Sequence, residues 1–566
     1  MSHLRQIIRA GVLVLVSGCG GAGGPTPDVD RAIEEGDVRE AYRLAQAAVA
    51  EEPSSAAAHV ALSRAALHTM RTRVGVAEAD RAIELSPDDP GGHYYRALHM
   101  QRLFRNVGAI ESAREAARLA PNDPRNHVLL GELHFGGGMV GTADYEAAQA
   151  AFRQALALDP ANERARFGHA KALILAGKHD QGLPEIEAFL VNRPYHGEAR
   201  YLRGLSRMRL RDLAGAEDDF RRATRLVPDM AAAHFNLARV LQMQERGEEA
   251  TAYRSLYERV KELAKSAHNA AVPYHISGDP SAALAYGQAL AEIGRTDDAI
   301  TVLDSAAADH PANASVGVAL AEILRQAGFL DEAWTVIART SDAHITEVRP
   351  HVTAAIVAAE REDHSLALEH ARVAHQMAPD SPDIALIYAG ALIRAENFDE
   401  AVRVLEGART LAPGEPRVIG GLGEAFVQAG RAEEGIRMLN EVLRLEPGNA
   451  NWLHWRGVAR SEAAPRRAVQ DLHDALRGAP NRVETYRALS SVLGVLGRGA
   501  EAAEADRRVA DLDARKERMR AVRAAYLSDP RNPEAASTLA TVLEEVGREY
   551  EADRVRASVS AFGVEP

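Results

Sequence analysis

The 566-residue chain has one cysteine, Cys19, so it can build neither a disulfide framework nor a multi-cysteine metal site. Aromatic residues are scarce, at 5%, which argues against a β-sandwich filled with large rings. Positive charge is not in excess: 67 Lys and Arg stand against 80 Asp and Glu, a formal net charge of -13. An acidic chain is poorly matched to a phosphate backbone, which argues against nucleic-acid binding. The apolar run Ala10 to Val16 is too short to span a bilayer. What remains is 46% hydrophobic, enough for a large core made of Ala, Leu, Val and Ile. Small side chains favour close helix contacts, and the length suggests about four domains at roughly 150 residues each.

The first residues read MSHLRQIIRAGVLVLVSGCGGAGGPTP. Arg5 and Arg9 make a basic start, the apolar run follows, and Val16-Ser17-Gly18 precedes Cys19. This segment resembles a bacterial lipoprotein signal peptide with its lipobox. The resemblance implies that residues 1–18 are removed and that Cys19 becomes a doubly lipidated N-terminus, its thiolate being the nucleophile that takes the lipid. Several acyl chains together give stable anchoring. Gly20, not Asp, follows Cys19, which in enterobacterial lipoproteins goes with the outer membrane and a periplasm-facing protein. Residues 19–27 read as a Gly/Pro tether.

Prolines set a repeat. Pro53, Pro87 and Pro121 lie 34 apart, as do Pro160, Pro194 and Pro228, and Pro379, Pro413 and Pro447. Before each proline runs one apolar stripe, such as Ala216, Phe220, Ala223 and Leu226 before Pro228, at helical spacings. The proline stops that helix. An earlier helix carries a Leu and a small residue, as in Leu130-Gly131 and Leu422-Gly423, and Gly177, Gly294, Gly328, Gly430, Gly497 and Gly547 mark the turn between the two helices.

A 34-residue helix–turn–helix unit of this pattern resembles the tetratricopeptide repeat, over roughly residues 28 to 562. The resemblance implies an all-α, right-handed solenoid of about fourteen repeats, each burying its stripe against its neighbours. Residues 28–270 are expected to form an N-terminal array and 271–566 a C-terminal one. Surplus residues between Pro228 and Pro311 predict a prolonged helix over Tyr257 to Asn269, ended before Pro273 and acting as a joint. A second long helix is predicted over Glu501 to Ser528. Asp28–Pro53 and Asn532–Phe562 are expected to cap the ends.

No catalytic constellation stands out, and no enzyme activity, cofactor or metal is expected. Gly136 and Gly141 have phosphate-loop spacing, but Thr142 occupies the lysine position and no strand precedes it. His59, His93, His127 and His234 share one repeat position and read as packing groups; His127 and His134 could share a helix face, with no third ligand. Asp297-Asp298 and Glu433-Glu434 fall at helix starts, where the helix dipole favours negative charge.

In proteins of this resemblance the first helix of each pair lines a concave groove. The residues placed there are Tyr94, Val128, Phe167, Tyr201 and Phe235, with Lys171 and Arg239 one turn on; the later equivalents are Leu284, Val318, Val352, Leu386 and Gly420. Tyr94, Phe167, Lys171, Tyr201, Phe235 and Arg239 are thus candidate partner-binding residues, and packing between repeats is the competing role for the rings. The chaperone-binding subclass clamps a terminal carboxylate with Lys and Asn; Asn236 is present but the rest of that set is not, so that partner is not expected. By architecture the chain is read as a lipid-anchored scaffold for proteins or peptides in assembly of an envelope complex, whether barrel, secretin or polysaccharide exporter. The alternatives are a scaffold supporting a glycan- or peptidoglycan-modifying enzyme, or direct glycan binding by the aromatic groove.

Overall fold

A computed structural model describes residues 27–135, 143–528 and 532–546, with 548, 552, 555 and 556. The expected signal peptide, Cys19, almost all of the expected tether, the Gly136 to Thr142 segment and Gly547 lie outside the described residues. Among the described residues there are 29 helices and no strand, arranged as fourteen helix pairs followed by one further helix. No described helix is long and apolar enough to cross a membrane.

The pairs follow from local chemistry. In the pair Gly197–Arg209 and Leu213–Leu226, the Asp212 side chain caps the second helix by accepting from the Gly215 N–H. Pro382 opens the helix Pro382–Arg394, where its missing N–H costs nothing, and Ser381 caps it. Most turns between the paired helices hold one residue at positive φ. Gly177, Gly294, Gly328, Gly430 and Gly497 supply it as expected, and Met70, Phe104, Arg211, Glu245, Glu362 and Glu396 occupy the same place without that freedom.

The stripes meet inside each pair. Phe152, Ala148 and Ala155 are fully buried, and a Cβ added at Gly131 would lie 2.6 Å from the Phe152 ring. Ala216, Ala223 and Gly204 are likewise buried at the helix contact, as expected. A polar link recurs beside these stripes. Asp219, fully buried, accepts from Arg203 at 2.6 and 2.9 Å and from Arg207 at 3.0 Å. Asp471 is held in the same way by Arg456 at 2.7 and 3.1 Å and Arg460 at 2.7 Å. These contacts bind the first helix to the second where apolar packing alone would leave their rotation less defined.

By contacts the chain groups into two compact units, 1–319 with 522–566, and 320–521. The expected array boundary at 270/271 falls within the helix Gly247–Ser277. That helix also corrects one expectation: it does not end before Pro273 but runs through it. A proline costs one intrahelical hydrogen bond, yet Tyr274 and His275 just beyond it are buried, and their packing holds the helix together. The second long helix, Gly499–Ser528, matches its expected span closely.

Within each unit the first helices of neighbouring pairs touch. In the first unit Ala56–His68 meets Pro90–Arg102, and Glu163–Leu175 meets Gly197–Arg209; in the second, Pro382–Arg394 meets Pro416–Gln428. The second helices of neighbouring pairs make no comparable contact among the described residues. The first helices therefore form the tighter, inner wall.

Candidate functional site

Tyr94, Phe167, Tyr201 and Phe235 all lie on first helices, at one repeat position, but their surroundings differ. Tyr94 is half-buried, edge-on to Tyr95 at 5.3 Å, with the Arg125 guanidinium 6.0 Å from its ring centre. Phe167 sits between Phe189 at 5.0 Å and His196 at 4.7 Å. Tyr201 packs on Phe220 at 5.9 Å, and its hydroxyl accepts from Asn236 at 3.3 Å. Burial pushes this hydroxyl above the usual tyrosine range. Phe235 is 43% exposed, stands on Tyr257 of the long helix at 5.2 Å, and carries the Arg239 guanidinium 5.8 Å from its ring centre. Phe167 and Tyr201 thus join helices of neighbouring repeats, while Phe235 presents a face to solvent. Val128 is buried.

The charges of the wall answer one another. Lys171 Nζ lies 2.6 Å from Glu198 on the next first helix and 4.6 Å from the Phe135 ring centre. Arg164 grips Glu132 with 2.8 Å contacts. Arg239 donates to Asn236 at 3.2 Å, and the Asn236 amide also bonds the Ala232 carbonyl, so Asn236 serves the wall itself. The least neutralised part is the patch of Phe235, Arg239, Tyr257 and Lys261, the last 5.5 Å from the Tyr257 ring centre and paired with Glu258 at 3.4 Å. Sequence reasoning missed Glu198 and Tyr257 as members of this surface. Glu198 was legible, since it opens the first helix of the repeat after that of Lys171. Tyr257 was not, because it lies in the surplus segment that breaks the 34-residue count.

The recurrent histidines have one structural task. His59, His93, His127 and His234 each place Nε2 on the carbonyl of the proline six residues back, at 3.0, 3.3, 2.8 and 3.0 Å. Arg166, Arg200 and Tyr486 make the same bond to Pro160, Pro194 and Pro480. The side chain ties the start of a repeat to the end of the previous one. Burial holds His234 below the usual imidazole range, which keeps it neutral. Among the described residues no group of three or more His, Cys, Asp or Glu is placed to hold a metal ion. Asp297 and Asp298, and Glu433 and Glu434, occupy first turns of helices, and Asp298 and Glu434 pair with Arg295 and Arg431 just before them.

In the second unit a cleft of about 400 Å³ opens beside Glu406, Arg409, Phe426, Glu434, Arg437 and Met438. Within it Arg409 pairs with Glu441 at 2.8 Å and Glu434 with Arg431 at 2.6 Å.

Profiles of the tetratricopeptide repeat match residues 29–90, 140–197, 201–268, 280–323, 358–409 and 392–454, together more than half of the chain. The chain belongs to the tetratricopeptide repeat family. Among solved structures it is similar to a chain of the APC/C Cut9–Hcn1 hetero-tetramer, with 14% identity over 82% of this chain and 95% of that one, at a TM-score of 0.35. It is also similar to YrrB, described as a TPR protein with an unusual peptide-binding site, with 19% identity over 33% of this chain and 95% of that one, at a TM-score of 0.28. PilF of Pseudomonas aeruginosa shares 19% identity over 35% of this chain and 91% of its own, at a TM-score of 0.30. No curated protein matches the chain.

Proposed function

We propose that the protein is a lipid-anchored scaffold of the bacterial cell envelope, held at the outer membrane through Cys19 and facing the periplasm. Its repeats collect protein partners and perform no chemistry of their own. The family supports protein–protein interaction as the general task. The observation that carries the partner site is the patch where the inner wall meets the long helix: the exposed Phe235 ring stands on half-buried Tyr257, beside Arg239 and Lys261, on an otherwise acidic chain. A partner segment with an apolar side chain and a neighbouring carboxylate fits it: the ring pair buries the first, and Arg239 and Lys261 meet the second.

The anchor is tested by mass spectrometry of the mature N-terminus, where a diacylglyceryl-modified Cys19 is expected; an unmodified Cys19 or a retained Met1 sinks it. The partner site is tested by crosslinking from envelopes, then measuring the captured partner against Phe235→Ala with Tyr257→Ala. A loss of about 2 kcal/mol or more, with the melting curve intact, is expected. Full affinity in the folded double variant moves the site elsewhere.

A further inference from the structure

The first unit turns back on itself. Residues at the turns of its first three repeats dock on helices Gly247–Ser277 and Thr296–Asp309, more than 150 positions later. Arg39 pairs with Asp304, and Arg71 with Asp309 at 3.0 Å through Nε. Ser305 donates to the Thr69 carbonyl at 2.8 Å, Phe104 packs edge-on to His268 at 4.5 Å, and Thr72 Oγ1 lies 3.0 Å from His275 Nδ1. Thr69, Thr72, Asp304 and His275 are all buried, so water is excluded from the middle of the contact, while Arg39, Asp309 and Phe104 stay partly exposed at its rim. Simple stacking of repeats does not require any of these bonds.

The groups around His275 decide how this clasp responds to protons. The Thr72 hydroxyl faces it from helix Thr72–Leu85, Tyr286 from Pro280–Glu292 at 5.6 Å, and Tyr274 from its own helix at 5.1 Å. From Pro90–Arg102 come the Arg102 charge and His99, itself fully buried with Nε2 on the Ser63 carbonyl at 3.0 Å. Asp298, Asp309, Arg71 and Arg295 stand in the next layer, around Arg102, Tyr274 and Tyr286, and among the described residues no hydrogen bond or ion pair joins a carboxylate to His275 or His99. His68, buried beside Arg64 and Arg102, adds a third ring under the same positive charge.

We propose that this clasp is an acid-opened latch, closed while His275 is neutral and released when it takes up a proton, which frees the first three repeats from the helices of residues 247–309. Burial, reinforced by Arg102, holds His275 down at about 4. An opened latch returns this ring toward the ordinary value near 6.5, so the open form binds more protons. The withheld proton then shifts the closed-to-open ratio about tenfold per pH unit between about 6.5 and 4.

The test is a distance measurement in the full chain. Spin labels at Val107→Cys and Lys265→Cys, with Cys19 replaced by Ser, report across the clasp by pulsed electron resonance. A single short distance is expected at pH 7.5 and a longer, broader distribution at pH 5, with the helical circular dichroism unchanged. His275→Asn should be roughly tenfold or more less open at pH 5. Thr72→Val, which removes the bond to the neutral ring, should open at higher pH than the parent. An unchanged distance down to pH 5 overturns the latch. So does separation that coincides with loss of helix, or a parent-like opening pH in both folded variants.

Discussion

The two units share one device and differ in another. Both hold a buried aspartate between arginines of the preceding helix, Asp219 in the first unit and Asp471 in the second. Only the first buries a long-range contact, through Thr72, His275, Asp304 and Ser305. In the second, Arg520 of the long helix reaches Glu362 across 158 positions at 3.2 Å, but both partners are exposed, so that pair adds little. The inner walls differ in the same sense. The first unit carries aromatic and charged groups, whereas the second has Val352, Leu386 and Gly420, the last so tightly covered that a Cβ would lie 2.5 Å from Trp452. Stacking of repeats needs only small residues in the right places; returning a chain upon itself needs polar groups at turns that stacking leaves unpaired.

Acid is expected to separate the units most. Burial lowers His68 and His99 to about 3 and His275 to about 4 in the first unit, against His454 at about 4 and a more mildly lowered His370 in the second. For an imidazole whose folded value lies below its unfolded one, the unfolded state binds more protons in between. Stability is therefore full above about pH 6.5 and falls as pH drops toward 4, by about 1.4 kcal/mol per pH unit for each ring. Hydrogen exchange at pH 7 and pH 5 should show the first unit losing protection well before the second. Next in size, Asp219→Ala leaves Arg200, Arg203 and Arg207 around an empty site and should cost about 3–5 kcal/mol. Asp471→Ala should act in the same direction in the second unit, which denaturant unfolding of each variant checks. Ala223→Leu, at a fully buried helix contact, should cost about 1–3 kcal/mol, and an unchanged denaturation midpoint would contradict the packing. The smallest effect belongs to the turns of the second unit. Glu396→Gly relieves an exposed side chain at φ 59° and should raise stability by up to ~1 kcal/mol, while Gly430→Ala at φ 75° should lower it by a similar amount.

The repeat was legible because its signals are local. Pro228 ends a helix whose stripe, Ala216 to Leu226, is read within fourteen residues, and Gly430 marks a turn without knowledge of any neighbour. Even Met70 and Phe104, which carry no turn signature, fall on the turn once the 34-residue count is laid over them. The continuation of the long helix through Pro273 was not legible, since it depends on the burial of Tyr274 and His275. The groove was half legible. Repeat position put Phe235 and Phe167 on the inner wall, but exposure of one and enclosure of the other depend on Tyr257, Phe189 and His196. The clasp left no trace at all, because partners some 160 to 265 positions apart share no spacing.

That separation also fixes an order of events as the chain folds. Neighbouring repeats can meet as soon as both have emerged, whereas Thr72 must wait 203 residues for His275, and Arg39 must wait 265 for Asp304. Until then the turn edge of the first three repeats is a finished surface without its cover, available to a chaperone or to the same edge of another copy that is still folding.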